Sequence, residues 1–69
     1  MKSFVYITSK KVPTYERVEG LVQLWKWLND NVPERWDNRG NVINFQYDED
    51  ATYFLLTFNN EVVTVREIT

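Results

Sequence analysis

Sixty-nine residues, 43% of them hydrophobic and with a formal net charge of −2, make one domain near the lower size limit for a self-supporting core. The absence of cysteine and histidine excludes disulfides, thiolate metal sites and the side chain that most often moves protons at neutral pH. Stability is left to packing, for which three Trp, four Tyr and four Phe supply a large buried area per residue.

The chain opens on Phe4-Val5-Tyr6-Ile7-Thr8, a β-branched and aromatic run that predicts a strand. It is too short for a secretory signal, and Ser9-Lys10-Lys11 ends it. No stretch reaches the roughly eighteen apolar residues of a membrane span. With cysteine missing, the expected setting is a reducing one: cytoplasmic, or the host cytoplasm if the chain is viral.

Pro13-Thr14 reads as a helix entrance with Thr14 as N-cap and Glu16 and Glu19 near the positive end of the macrodipole. Val18, Leu21, Val22, Trp25, Leu28 and Val32 then recur at helical spacing, predicting one amphipathic helix that ends near Asn31, ahead of Val32-Pro33. Pro33 to Gly40 reads as a polar connection carrying Trp36.

The last thirty residues predict a three-strand meander. Ile43, Phe45 and Tyr47 alternate with polar neighbours, Asp48-Glu49-Asp50 makes a turn, Thr52–Phe58 a strand, Asn59-Asn60 a second turn and Glu61–Ile68 the last strand. Both turns then place Ile43, Phe45, Phe54, Leu56, Val63 and Val65 on one face, where a one-residue slip would scatter them. The expected order is β-α-β-β-β, one helix packed on one face of a mostly antiparallel four-strand sheet, within a single α+β domain over 1–69.

What this core does not claim is the material for function. Trp27 lies about 140° from the centre of the helix stripe, and Trp36 sits in the connection. Each is either an interface anchor or a ring folded under a neighbouring loop. The other sheet face is expected to stay open, carrying Tyr53, Leu55 and Arg66 among polar residues, as a partner patch or as scattered surface hydrophobes. Asp48, Glu49 and Asp50 read as a solvated turn, a weak cation site or an acidic surface for a basic partner.

Catalysis lacks its parts. Ser3 and Ser9 are the only serines, no histidine can activate them, and Gly20 and Gly40 stand alone, without a phosphate-cradling loop. Neither a cofactor nor a metal is expected. The leading reading is a small non-enzymatic module, monomer or homodimer, that covers a surface of a larger protein. In size and composition it is similar to the short accessory proteins that many bacteriophages make to inhibit host machinery, a likeness of style that rests on no motif. Residues 40–69 hold one Arg against five carboxylates, whereas residues 1–39 hold seven Lys/Arg against five Asp/Glu. The acidic half extends the reading to a DNA-binding host protein as partner. Two alternatives stand beside it: nucleic-acid binding through Lys10, Lys11, Arg17 and the aromatics, and a homo-oligomeric structural piece paired through its open sheet face.

Overall fold

The computed structural model describes residues 2–68, which run β1 (Lys2–Thr8), α1 (Thr14–Asn31), β2 (Trp36–Arg39), β3 (Val42–Phe45), α2 (Asp48–Thr57) and β4 (Val63–Glu67). β1 is the strand from which the sheet grows. It pairs antiparallel with β3 on one side and β4 on the other, while β2 adds to β3 as a hairpin, giving the order β2-β3-β1-β4. β3 therefore stands between β1 and β2, the split β-α-β arrangement.

The α+β class and the four-strand antiparallel sheet with a helix on one face are as expected, but the element order is β-α-β-β-α-β. Residues 48–57, read from sequence as a turn and all but the last residue of a strand, form α2. Asp48, Glu49 and Asp50 fill its first turn, where carboxylates interact favourably with the macrodipole. Ala51 and Phe54, one turn apart, are its buried face. The fourth strand is instead β2, Trp-Asp-Asn-Arg, whose polarity suits a sheet edge. Gly40-Asn41 joins it to β3 as a two-residue hairpin turn, and Gly40 holds the positive φ of 60° that such turns demand.

The register fixes the two faces of the sheet. Phe4 opposes Ile43, Lys2 opposes Phe45, Phe45 opposes Trp36, and Thr8 opposes Val63, so these side chains share one face. Phe4, Ile43, Phe45 and Val63 are buried there together with Leu24, Leu28 and Val32 from α1 and its end, and with Ala51 and Phe54 from α2. Removing each large side chain of this set from water contributes about 1.5–3 kcal/mol. Phe45 and Phe54, expected on one face of the sheet, do touch, with ring centroids 5.2 Å apart, but as a strand–helix contact.

α1 is rotated from its expected orientation. Gly20, Leu24 and Leu28 are buried, whereas Val18 and Val22, assigned to the core stripe, are exposed. The cause is close approach: a Cβ on Gly20 would stand 3.0 Å from Cγ2 of Val63 and 3.2 Å from Cβ of Val62. With hydrogen at this position the helix backbone settles against β4, and the flank bearing Val18 and Val22 turns outward. The N-cap position is held by Pro13 without a side-chain cap, not by Thr14, whose hydroxyl instead accepts a 3.0 Å hydrogen bond from Nη2 of Arg17. Among the described residues, no helix is long and apolar enough to cross a membrane.

Candidate functional site

Nine of the eleven aromatic rings form two groups. In one, Trp25 stacks on Trp36 at 5.7 Å and 14°, and Tyr6 meets Trp25 edge-on at 5.4 Å. Tyr6 also donates its hydroxyl proton to the Gly40 carbonyl at 2.9 Å, tying this group to the β2–β3 hairpin. In the other, Phe54 is the hub. It contacts Phe4, Phe45, Phe58 and Trp27, and Trp27 reaches on to Tyr53 at 5.6 Å.

Trp27 and Trp36 are thus neither sealed nor free. Both are half-buried and pack against the core. Trp27 leaves the apolar stripe of α1 because α2 lies beside it and receives the indole. Its outer edge lines a cleft of about 250 Å³ with Gln23, Lys26, Asp30, Thr57 and Phe58. A second cleft, of about 400 Å³, shares Gln23 and continues past Tyr15, Glu16, Glu19, Gly20 and Glu61. The two clefts follow one side of α1 as a groove in two parts, with an indole in one part and three carboxylates in the other.

α2 presents the strongest exposed apolar surface beside that groove. Leu56 is 79% exposed and Tyr53 48%, one turn apart and opposite the buried Ala51 and Phe54. Leu55 is also exposed. Tyr53 and Leu55 were expected on the open sheet face and Leu56 in the core; the helix moves all three to the outside of the helical layer. The signal for this was present as the 3-residue step from Ala51 to Phe54 and the acidic first turn, but a short apolar run fits either period.

The remaining expected residues lie elsewhere. Arg66 stands on the uncovered sheet face, in a cross-strand row Arg39–Val42–Val5–Arg66. An adjoining row is polar: Ser3 donates to Oδ1 of Asn44, and Asn44 donates to Asp37 at 2.8 Å. No aromatic side chain belongs to these rows. Of the acidic triplet, Asp50 accepts a 2.9 Å hydrogen bond from Nε of Arg35, which also donates to the Asn31 carbonyl, so it joins the α1–β2 connection to α2. Glu49 is exposed. Among the described residues, no group of three acidic side chains is placed to hold a metal ion.

No family model, curated protein or solved structure matches the chain. The functional reading therefore rests on the surface just described.

Proposed function

We propose that this chain is a non-enzymatic protein-binding module that acts by covering a surface of a larger protein, in the manner of a small phage-type inhibitor. The docking surface is the outside of α2 with the adjoining end of the groove: Tyr53, Leu56 and the exposed edge of Trp27. The observation that carries this reading is Leu56, an aliphatic side chain left 79% exposed, one helical turn from Tyr53, an exposed ring that itself packs on the half-buried indole of Trp27. Aromatic rings such as Tyr53 and Trp27 are the usual anchors of an interface, and Leu56 adds apolar area that leaves water on binding. Both clefts are shallow and open to water, and their lining residues include no nucleophile paired with a base.

The acidic half gives less support to mimicry of nucleic acid than its composition suggests. Among the described residues, at least two of its five carboxylates meet cations of the first half, Asp50 with Arg35 and Glu67 with Lys2. Direct nucleic-acid binding is also disfavoured. Tyr15, the exposed ring nearest in sequence to Lys10 and Lys11, lines its cleft with Glu16, Glu19 and Glu61, which repel a phosphate backbone.

The test is affinity capture from lysate of the native source with the wild type, Tyr53→Ala and Leu56→Lys. Each substitution is expected to weaken capture of the same partner by about tenfold or more while leaving the circular-dichroism melt unchanged. Capture at wild-type strength by both variants rejects the docking surface.

A further inference from the structure

The exposed flank of α1 carries a second, independent pattern. Tyr15, Val18, Val22, Trp25 and Asn29 recur at alternating steps of three and four residues, the spacing of a two-helix seam. At about 100° per residue they fall within a sector about 80° wide, directed away from Leu24. Tyr15 is 69% exposed, Val18 54% and Val22 52%. Trp25 is half-buried, fixed by its stack on Trp36. Apolar side chains in this pattern leave water when a second helix lies along them.

The charges beside the seam say which helix. Glu19 and Lys26 lie two turns apart on the same flank, about 20° from one another around the axis. Both are exposed, and among the described residues neither has an intrachain ion pair. When two copies of α1 pack antiparallel about a two-fold axis, each flank meets itself reversed. Glu19 then faces Lys26 of the partner subunit and Lys26 faces Glu19 of the partner subunit, while Val22 lies against Trp25 of the partner subunit. A parallel pairing would instead set Glu19 and Lys26 against the partner's other flank, where Thr14, Leu21 and Leu28 offer no opposite charge. The flank is therefore complementary to its own inverted copy.

We infer that this chain self-associates as an antiparallel homodimer through the Tyr15–Asn29 flank of α1. The occupant of that flank is a second copy of the chain, and the contact is separate from the α2 surface proposed above. A single helix pair is smaller than a standard stable interface, so the dimer is weak and concentration-dependent.

Sedimentation over a protein concentration series, from micromolar to millimolar at low salt, tests this with wild type, Glu19→Lys, Lys26→Glu, the double variant and an equimolar mixture of the two single variants. Wild type is expected to pass from monomer to dimer. Each single variant places like charges opposite one another twice and should weaken dimerisation by about tenfold. The double variant and the mixture restore both opposite-charge pairs and with them the dimer. Tyr53→Ala should dimerise as wild type does, and melts of every variant establish that the fold is kept. A wild type that stays monomeric throughout overturns the inference. So does a dimer indifferent to the single charge reversals, or one that mixing does not restore.

Discussion

Asp50 and Glu49 are neighbours with different work. Asp50 is largely covered and bonded to Arg35, joining the chain just before β2 to the first turn of α2. Glu49 faces water and contributes only its charge near the helix N-terminus. Asp50→Ala is expected to cost about 0.5–1 kcal/mol, because Arg35 is partly solvated and the pair is worth little more than a surface ion pair. Glu49→Ala should cost about 0.3 kcal/mol. Thermal melts of the two variants measure the difference, and equal values would mean that the ion pair contributes nothing. The same scale holds two backbone positions of positive φ, Gly40 and Glu34. Gly40 is where a glycine belongs. Glu34 adopts the left-handed region at a position where an L side chain is disfavoured by roughly 1 kcal/mol.

At the scale of elements, the decisive one is α2. Read as a strand, the segment would bury Leu56 opposite Val63; as a helix it buries Ala51 and Phe54 and turns Leu56 outward. Two substitutions tell these apart. Leu56→Lys is expected to change stability by less than about 0.5 kcal/mol, whereas Phe54→Ala removes the hub of a ring cluster and should cost about 3–5 kcal/mol, enough to unfold a domain this small. Chemical denaturation of both variants reads the outcome, and a severe loss from Leu56→Lys would contradict the helix. β1, the extent of α1 to Asn31, and the pleat of β3 were legible because each has a clear period and a clear stop signal. β2 was not, since Trp-Asp-Asn-Arg has no alternation of apolar and polar residues, and only the Gly40-Asn41 turn announces it.

For the molecule as a whole, stability is concentrated where the sheet is paired on both sides. β1 alone of the two strands that carry Phe4 and Val63 has neighbours on each flank, and Phe4 lies in the buried layer under both helices. Amide hydrogen exchange is expected to be slowest at Phe4–Tyr6 and faster in β2, an edge strand of the sheet. Equal protection of β2 and β1 would argue that the β2 edge is covered. The radius of gyration, 11.5 Å, is close to the roughly 11 Å of a compact chain of this length, so little surface is gained from irregular shape. The surface available to a partner is set by which elements lie outermost.

The amino-acid sequence determined by itself the class of fold, three of the four strands, the helix that crosses the sheet, and the identity of most core residues. Those follow from local period and from how many apolar residues a chain of this length must bury. Tertiary structure decided which side of each helix faces out, because that depends on contacts distant in sequence. Gly20 against Val62 and Val63 turns Val18 and Val22 to solvent, and Trp27 against Phe54 and Tyr53 makes α2, not the bare sheet, its neighbour. A short apolar run satisfies a strand or a helix equally well until something long-range packs against it, and here Phe4 and Phe45 closing on Phe54 make that choice.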